Sequence, residues 1–364
     1  MVEFARGFWG ATASRLFKHF SPVWFEPKPL ADKRRKAHYV FSMRLLVTGG
    51  AGFIGGHIAR QAIAEGHEVA ILDNLRRAKR QQVAPNAAFY EVDIVDQAAV
   101  CEAVADFRPQ AISHQAAQVS VPASVDDPAL DCRINVNGTI HVLRAAVSCQ
   151  VERFVFASTG GAIYGEVPAD SLAATDWVPQ PASPYAISKY AAEHYVRYAA
   201  KQHGIKTSIL RYANVYGPGQ SNEGEAGVVA LFLEHFARGE PVTVFGRNAP
   251  GDGGCIRDYV YVSDVVAANL LAMTAESPPN VANVSTGVGT STTALAEALA
   301  HALHQDLTMR QAGPRRGDLE RSVLEPTLPV SGQALPLELG LARVVASVLP
   351  RSGSRGECHR QEQD

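Results

Sequence analysis

Two features that would point to a membrane or nucleic-acid partner are missing from this sequence. No stretch reaches the ~18–20 uninterrupted apolar residues that a membrane-spanning helix needs. The formal net charge is only −2, so bulk electrostatics favour neither nucleic acid nor an anionic membrane surface. Since the 364 residues are 46% apolar and 19% charged, the composition is typical of a globular protein with one large or two intermingled domains.

Cysteines are few, and none has the spacing of metal ligands. They are scattered without a CxxC pair, and the twelve histidines include no HxH or HExxH pattern. We therefore predict that the protein holds no metal site. An odd number of cysteines without metal spacing is typical of reduced thiols in a cytoplasmic protein. The five cysteines are Cys101, Cys132, Cys149, Cys255 and Cys358.

A glycine-rich stretch at residues 48–55, with the sequence TGGAGFIG, organises the rest of the chain. The apolar segment 44–47 before it predicts a buried strand, and the apolar spacing in 56–66 predicts a helix against a sheet. The N-terminus of such a helix offers N–H groups and a positive dipole end to phosphates. Gly49 permits the tight turn, Gly52 lets the backbone approach a pyrophosphate, and Gly55 lets the helix pack on the strand.

An acidic residue ends the next predicted strand. Residues 69–72 are apolar and Asp73 follows them, where a carboxylate can accept hydrogen bonds from the adenosine ribose and would repel a 2′-phosphate. We therefore predict NAD, rather than NADP, as the cofactor. A glycine-rich turn alone could be purely structural, but the order of strand, glycines, helix, strand and acid favours a dinucleotide site.

Further strands and helices alternate along the chain. We expect strands at 88–92, 111–114 and 153–158, and helices at 96–107 and 135–149. This alternation predicts an α/β fold with a doubly wound, Rossmann-type parallel sheet. Ligands of such sheets bind beyond the carboxyl ends of the strands. Four residues fall at these ends and should converge on one cleft: Asp73, Asp93, Ala116 and Ser158.

Tyr185 and Lys189 stand four residues apart after Pro184, at the start of a predicted helix, and so share one helix face. A phenol is a poor base at neutral pH, but a nearby ammonium and a positively charged nicotinamide both favour its phenolate form. Lys189 can also hold the ribose hydroxyls of the cofactor. Alone, the pair could belong to an ordinary amphipathic helix; with the dinucleotide fingerprint and Ser158-Thr159 upstream, it predicts a catalytic site.

Ten motifs, in order along the chain, carry a resemblance to a known family. They are TGGAGFIG (48–55), DN (73–74), DI (93–94), HQAAQ (114–118), Asn135, FAST (156–159), YAISK (185–189), LRYANVYGPGQ (210–220), RDYVYVSDV (257–265) and RRGD (315–318). From Met43 to about Leu324 the chain resembles the extended short-chain dehydrogenase/reductase family and, within it, the bacterial UDP-glucose 4-epimerases. The resemblance implies tightly bound NAD and a smaller C-terminal α/β substrate domain.

The resemblance also implies the residues of the site. Cofactor-binding positions are Gly49, Gly52, Phe53, Ile54, Gly55, Asp73, Asn74, Asp93, Ile94, Ala116, Ala117, Gln118, Asn135, Tyr185, Lys189 and Tyr212. Catalytic positions are Tyr185, Lys189, Thr159 and Ser158. Substrate-binding positions are Ser120, Asn214, Val229, Phe245, Arg257, Arg315 and Asp318. The arginines would clamp phosphates, Asp318 would bind the ribose and Phe245 would lie along the uracil. For Asn214, the alternative is a turn asparagine that caps its own backbone.

The implied reaction is the interconversion of UDP-glucose and UDP-galactose by transient oxidation at C4. Tyr185 removes the proton of the 4-hydroxyl, Thr159 or Ser158 hydrogen-bonds the same oxygen, and hydride leaves and returns to the opposite face. Related dehydratases and decarboxylases carry an acidic residue where this chain has Gly160-Gly161-Ala162. The alternatives are an epimerase of UDP-N-acetylhexosamines or UDP-uronates, a lyase on the same scaffold, and a non-catalytic NAD-sensing protein.

The chain divides into four predicted segments. We expect an NAD-binding domain at 43–210 and a substrate-binding domain at 211–349. Residues 1–42 are basic and aromatic, and we expect a disordered leader; the alternative is a targeting or membrane-surface segment. Residues 350–364 are polar and predict a disordered tail.

The resemblance implies a homodimer that forms through helices near 135–149 and 185–203.

The chain departs from the family in two places. The segment 246–256 is longer than the family's usual turn, and we expect a mobile loop near the nucleotide. After Pro326 the family's Leu-Gly-Trp-x-Pro turn is missing and the segment is shorter by about ten residues, judged against ordinary helix lengths. We expect this change to weaken the packing of the substrate domain.

Overall fold

The computed structural model describes residues 42–221, 227–315, 318–327 and 334–348. Apart from Ser42, the predicted leader lies outside these residues, as does the whole predicted tail. Within the described ranges, no helix is long and apolar enough to cross a membrane.

The strands, in chain order, have the following bounds. They are β1 (Arg44–Thr48), β2 (Glu68–Asp73), β3 (Ala88–Glu91), β4 (Ala111–His114), β5 (Arg153–Thr159), β6 (Lys206–Tyr212), β7 (Asn214–Tyr216), β8 (Val242–Phe245), β9 (Ile256–Tyr261), β10 (Val281–Val284), β11 (Gly289–Ser291), β12 (Met309–Ala312) and β13 (Arg321–Ser322).

The helices connect these strands in chain order. They are α1 (Phe53–Ala64), α2 (Gln97–Phe107), α3 (Val121–Asp126), α4 (Pro128–Cys132), α5 (Gly138–Ser148), α6 (Gly160–Ile163), α7 (Pro184–His203), α8 (Val228–Arg238), α9 (Val262–Thr274), α10 (Thr292–Leu303) and α11 (Leu337–Val348). A short 3₁₀ turn covers Arg80–Gln82, and a π-helical turn covers Arg133–Asn137.

Seven parallel strands form the central sheet, in the spatial order β10-β6-β5-β4-β1-β2-β3. The chain begins in the middle, builds outward to β3, and then returns to β4 on the other side of β1. Helices α2 and α5 pack together and α1 packs with α9, as expected for layers on a doubly wound sheet. The predicted fold class is therefore confirmed, and the point of reversal between β1 and β4 is where a ligand should bind.

Several predicted boundaries shift in the structure. The helix expected at 56–66 begins earlier, at Phe53, because Gly52 already stands in the N-cap position. The helix expected at 135–149 begins only at Gly138, since the preceding residues form the π-helical turn. The strand expected at 153–158 runs on to Thr159.

A smaller set of strands lies in the C-terminal part of the chain. Strand β9 pairs with β7 and β13 in parallel and with β11 antiparallel, while β8 and β12 form a separate parallel pair. The chain then rejoins the central sheet, because β10 pairs with β6. Residues after 210 therefore contribute to both parts, and the domain boundary at 210/211 stays a prediction.

The atypical C-terminal segment packs closely where it is described. Leu341, Val344 and Val345 of α11 are buried in the main hydrophobic cluster. The Tyr216 hydroxyl donates to the Leu337 carbonyl oxygen at 3.2 Å, and α11 packs against α10 and β9. The structure thus gives this end of the chain a packed helix despite the missing turn motif.

The long loop at 246–256 is organised by one carboxylate. Asp252 accepts hydrogen bonds from the backbone N–H groups of Arg247, Asn248, Ala249 and Gly254 at 2.8–3.1 Å. These bonds lower the pKa of Asp252 well below its usual range, the Asn248 N–H contributing most. The loop has a defined internal structure, while its mobility stays a prediction.

Candidate active site

The glycine turn has the geometry of a phosphate-binding loop. Gly49 has a φ of +66°, and a Cβ there would come within 2.7 Å of the Ala116 nitrogen. A Cβ on Gly55 would overlap the Gly49 carbonyl oxygen, so only glycine lets α1 pack this closely on the turn. Around Gly52 there is more room, since a Cβ there would lie 3.2 Å from the Gly49 oxygen. The tight turn at Gly49 and the close packing at Gly55 agree with these contacts, while the role of Gly52 toward a pyrophosphate stays a prediction. Phe53 and Ile54 open the helix that follows.

Acidic and amide side chains line the edge of the sheet beside this turn. One carboxylate oxygen of Asp73 accepts from the Ala51 nitrogen at 3.1 Å and the other from the Leu75 nitrogen at 2.9 Å. Burial raises the pKa of Asp73, while these two bonds oppose that rise. Asn74 donates from Nδ2 to Asp93 at 2.9 Å, which joins the ends of β2 and β3. Together with the glycine turn, these groups fit a dinucleotide whose ribose carries no 2′-phosphate.

The predicted residues that follow β3 and β4 form the other wall. Ala116 donates its N–H to the Thr48 hydroxyl at 3.2 Å and so lies against the glycine turn, with Ala117 next in the chain. Ile94 is buried against the start of α5, where a Cβ on Gly138 would come within 2.6 Å of its side chain. The helix α5 is thereby held close to the strand end that carries Asp93.

Gln118 and Asn135 are locked to each other by two hydrogen bonds. The Gln118 N–H donates to Asn135 Oδ1 at 2.9 Å, and Asn135 Nδ2 donates to the Gln118 carbonyl at 2.9 Å. Both amides also donate to Asp131 Oδ1, at 2.9 and 3.0 Å. Asn135 belongs to the π-helical turn, a feature frequent at functional sites.

Tyr185 and Lys189 lie on the first two turns of α7. Ser183 caps this helix by accepting from the Ala186 N–H, and Pro184 occupies the first helical turn. The Tyr185 N–H donates to the Ser124 hydroxyl at 3.1 Å, which ties the base candidate to α3. Ser124 was not among the predicted site residues, because a single serine in this short helix carries no sequence signal of the contact.

Lys189 is a buried cation without a direct ion pair. Its side chain is 3% exposed, and Nζ stands 4.3 Å from the centroid of the Phe156 ring on β5. Among the described residues, no carboxylate lies within ion-pair distance of Nζ. Burial lowers the pKa of Lys189 to about 8, against the opposing charges of Glu193 and Asp131. Its ammonium is thus available for a ligand.

Ser158 and Thr159 point in different directions, as successive residues of a strand do. The Ser158 hydroxyl donates to Glu193 at 2.7 Å in the interior. The Thr159 hydroxyl has no hydrogen-bond partner among the described residues, and its residue is 9% exposed at the carboxyl end of β5. Both stay predicted catalytic residues, but of the two only the Thr159 hydroxyl is without a partner in the part of the chain that the structure describes, since that of Ser158 is bound to Glu193.

Glu193 sits at the centre of a buried ionic network that sequence reasoning missed. It accepts from Arg211 Nε at 2.9 Å and from the other arm of the guanidinium at 2.8 Å. Arg211 also donates to the Tyr164 hydroxyl at 2.8 Å. Burial alone would lower the pKa of Arg211, but its bonds to Glu193 raise it above the ordinary value. The network joins α7, β5 and β6 directly beneath the predicted catalytic residues.

His114 is a second buried group that the sequence did not assign. The Thr139 hydroxyl donates to the Asn135 carbonyl at 2.6 Å, so it must accept from His114 Nε2 at 3.1 Å. His114 Nδ1 then accepts from the Thr48 hydroxyl at 2.7 Å. Burial lowers the pKa of His114 to about 3, so the ring is neutral and serves as a structural link between β1 and α5.

Tyr212 ends β6 with its hydroxyl turned into the protein. The hydroxyl accepts from Asn269 Nδ2 at 2.7 Å and bonds the Gln115 amide at 3.2–3.3 Å. Burial raises the pKa of Tyr212 to about 12, so this hydroxyl stays protonated. Any contact of Tyr212 with a cofactor would therefore involve its ring or backbone.

Three predicted substrate residues come together at the end of β8. The Arg315 guanidinium carbon lies 4.7 Å from the centroid of the Phe245 ring, and Arg315 Nε pairs with Asp318 at 2.8 Å. Arg257, on β9, donates to the carbonyl oxygens of Ile256 and Leu319 at 3.0 and 2.6 Å. These contacts place two cations, an acid and an aromatic face in neighbouring segments.

The remaining predicted substrate residues are spread around the cleft. Asn214 Oδ1 would lie 3.2 Å from a Cβ on Gly161, so it stands beside the small-residue turn after β5. The Ser120 hydroxyl accepts from the Ala123 N–H as the N-cap of α3. Val229 is buried on α8, and its contact with the substrate stays a prediction.

Gly160 is required for packing as well as for space. A Cβ there would overlap Leu324, which belongs to the C-terminal part of the chain. The absence of a side chain thus lets the catalytic strand end approach the substrate side. Within the described residues, no group of three or more His, Cys, Asp or Glu side chains is placed to hold a metal ion.

A sequence profile described as the NAD dependent epimerase/dehydratase family matches residues 45–285, more than half of the chain. The protein belongs to this family. It is similar to a UDP-glucose 4-epimerase of Mycolicibacterium smegmatis, with 42% identity over 290 residues, 78% of this chain and 90% of the relative.

Two solved structures of the family resemble this chain over 84% of its length. The Thermus thermophilus UDP-glucose 4-epimerase in complex with NAD has 48% identity and a TM-score of 0.80, with 99% of its own chain covered. The Thermotoga maritima UDP-glucose 4-epimerase with UDP-glucose has 41% identity and a TM-score of 0.78, with 98% covered. The predicted resemblance is therefore confirmed.

Proposed function

We propose that this protein is an NAD-dependent sugar-nucleotide epimerase that interconverts UDP-glucose and UDP-galactose. The observation that carries the proposal is the buried Lys189, one helical turn beyond Tyr185 and packed on β5, the strand that ends at Thr159. A buried ammonium without an ion pair is costly unless it serves a ligand or a reacting group. The names of the relatives, at 41–48% identity, support the same activity.

In the proposed reaction, Tyr185 takes the proton of the sugar's 4-hydroxyl and returns it at the end of the cycle. Lys189 stabilises the phenolate by its charge, and the Thr159 hydroxyl hydrogen-bonds the oxygen on C4. NAD, when bound, supplies the acceptor and donor of the C4 hydride. The sugar presents its opposite face between the two transfers, so the configuration at C4 inverts.

The cofactor is assigned to the cleft between the glycine turn and the ends of the parallel strands. Gly49, Gly52 and Gly55 would admit the pyrophosphate at the start of α1, and Asp73 would bind the adenosine ribose. Asn135, held by two partners, and Gln118, held by three, would face the nicotinamide half together with Lys189. We infer retention of NAD through turnover, because the reaction has no net redox change.

The nucleotide is assigned to the substrate side of the cleft. Arg257 and Arg315 are suited to the diphosphate, because a guanidinium presents paired donors to phosphate oxygens. Asp318 would take the ribose hydroxyls, and the Phe245 ring would lie along the uracil. In the structure Arg315 covers that ring and pairs with Asp318, so a bound nucleotide would exchange these contacts for its own.

We also propose a cytoplasmic homodimer. The four described cysteines are free, which agrees with a reducing compartment. Ile187, Tyr195 and Tyr198 lie exposed on α7, a helix predicted to form the interface, and Tyr198 is 59% exposed. Sedimentation velocity tests the assembly, and a monomer of full activity would contradict it. Cell fractionation tests the compartment.

The proposed activity is tested by incubating the purified protein with UDP-galactose and no added NAD. We expect UDP-glucose to accumulate to a fixed equilibrium ratio, approached equally from UDP-glucose. Release of water or carbon dioxide would instead indicate a lyase, and turnover of UDP-N-acetylgalactosamine or a UDP-uronate alone would indicate a different epimerase. Bound NAD without turnover of any UDP-sugar would indicate a sensor.

A further inference from the structure

Asp131, on α4, is a buried carboxylate that the reaction outlined above does not use. Its residue is 1% exposed. Oδ1 accepts two hydrogen bonds, from Gln118 Nε2 at 2.9 Å and from Asn135 Nδ2 at 3.0 Å. Oδ2 is buried and has no hydrogen-bond partner among the described residues. Burying a carboxylate oxygen without a hydrogen-bond donor costs folding free energy, so we expect the charge of Asp131 to have a function.

The two amides that bond Oδ1 belong to the predicted cofactor wall. Asn135 is fixed from both sides, since its Oδ1 accepts from the Gln118 N–H and its Nδ2 donates to both Asp131 and the Gln118 carbonyl. Gln118 likewise uses its side-chain nitrogen on Asp131. Asp131 thus helps to orient both amides at the cleft. Ser120 shares this task for Gln118, since its carbonyl accepts from Gln118 Nε2 at 2.8 Å and its N–H donates to Gln118 Oε1.

Asp131 lies on α4, a helix that packs directly against α7, the helix of Lys189. The other carboxylate near Lys189 is Glu193, one turn further along α7. Glu193 is already paired with Arg211 and Arg197 and accepts from Ser158, so much of its charge is neutralised.

The other groups that face Lys189 do not supply a permanent negative charge. His114, on β4, is held neutral by burial, and the proximity of Lys189 lowers its pKa further. Phe156, on β5, offers only its ring face at 4.3 Å. Tyr185, on the same helix, is negative only as the phenolate that accepts the proton and is neutral once it holds that proton, so its charge comes and goes during the cycle. Among the described groups around Lys189, Asp131 is thus the carboxylate that no cation pairs directly.

We propose that Asp131 is a positioning residue of the active site, which acts through two sets of partners. Through Oδ1 it orients Gln118 and Asn135 against the cofactor. Through its negative charge it favours the protonated form of Lys189, so that the lysine can stabilise the Tyr185 phenolate. The role in turnover rests on the proposed epimerase function, but both effects of Asp131 can be measured without turnover.

The sign of the electrostatic effect follows from the surroundings of Lys189. Burial lowers the pKa of Lys189 to about 8, and Asp131 opposes that fall. Removing the negative charge of Asp131 should lower the lysine pKa further. The ammonium would then be lost at a lower pH, and the alkaline limb of the kcat profile would move toward neutrality.

The decisive variant is Asp131→Asn, which keeps an acceptor oxygen for Gln118 and Asn135 and removes only the charge. We expect the Lys189 pKa, followed by NMR of the labelled lysine side chains, to fall by about one unit, as for the loss of a nearby opposite charge. The alkaline limb of kcat should fall with it, while the amount of co-purified NAD stays unchanged. The matched control is Asp126→Asn, an exposed acid on the neighbouring α3, which should shift neither.

A second variant separates the two effects. Asp131→Ser removes the charge and also shortens the side chain that accepts from Gln118 and Asn135. We therefore expect the same fall in the Lys189 pKa together with a several-fold loss of bound NAD. This variant also serves as the test if Asp131→Asn does not fold. An unchanged Lys189 pKa in a folded variant would overturn the proposal. If the wild type showed no turnover but its Lys189 still responded to Asp131→Asn, the epimerase function would fail while the electrostatic role of Asp131 stood.

Discussion

Glu193 and Arg211 form a two-pronged ion pair inside the protein, one helical turn beyond Lys189. The two bonds measure 2.8 and 2.9 Å, and both side chains are almost fully buried. Glu193 also accepts a hydrogen bond from the Ser158 hydroxyl, so this pair fixes α7 to β5 and β6 beneath the predicted catalytic residues. The register of Tyr185 and Thr159 therefore depends on a contact that touches neither substrate nor cofactor.

Breaking this ion pair should destabilise the whole protein. Glu193→Gln would leave the buried Arg211 without its counter-charge, and we expect a loss of about 3–5 kcal/mol in the free energy of unfolding. Urea denaturation followed by circular dichroism measures this change. The control is Glu234→Gln, which removes the partner of the exposed Arg238 on α8 and should cost less than about 1 kcal/mol. Equal losses of unfolding free energy in the two variants would show that the buried pair stabilises the protein no more than the exposed pair does.

Removing the phenol should separate chemistry from cofactor binding. In Tyr185→Phe we expect kcat to fall at least about 100-fold, because the proton acceptor is lost. The bound NAD, measured after denaturation of the protein, should remain. The control is Tyr198→Phe, a change to an exposed phenol more than three turns further along α7, which should keep full activity. Substantial turnover by Tyr185→Phe would assign the base to another residue.

A single methyl group in the glycine turn should abolish cofactor binding. In Gly55→Ala the added Cβ would overlap the Gly49 carbonyl, so either the turn or α1 must shift. We expect little or no co-purified NAD and a lower melting temperature. The matched change Gly313→Ala meets no atom within 4 Å and should leave the NAD content as in the wild type. Normal NAD content in Gly55→Ala would mean that the turn does not carry the pyrophosphate.

The loop around Asp252 should lose its structure in acid. The folded pKa of Asp252 is lowered by its backbone N–H donors, the Asn248 N–H first, so the carboxylate contributes to loop stability above the ordinary value of about 4. That contribution is lost as the pH falls through the lower, folded pKa. Amide chemical shifts of Asn248 and Gly254 should therefore stay constant from neutral pH to about 4 and change only below it. In Asp252→Asn they should differ from wild type already at pH 7; identical shifts would contradict the assignment.

Local sequence signals account for the parts of the site that could be predicted. The glycine turn, Asp73 and the Tyr185–Lys189 pair each depend on spacing within one short segment, and the central sheet followed from the alternation of strands and helices. The short segments around these motifs also gave most element bounds to within a few residues.

The residues that sequence reasoning missed depend on contacts between distant segments. Glu193 stands four residues before Arg197, a spacing that is typical of an exposed ion pair on a helix surface. Only the fold brings the distant Arg211 into contact with it. Asp131 likewise acquires its role because a π-helical turn and a β-strand end present Asn135 and Gln118 to it. Neither residue type nor spacing distinguishes such buried acids from exposed ones.

The most direct test of the central claim follows the hydrogen on C4. UDP-galactose carrying deuterium at C4 is incubated with the purified protein in ordinary water, and the UDP-glucose formed is analysed by mass spectrometry and NMR. We predict that the deuterium is retained at C4 of the product, because the same hydrogen leaves as hydride and returns to the other face. Loss of the deuterium to solvent, or its retention without inversion at C4, would contradict the account.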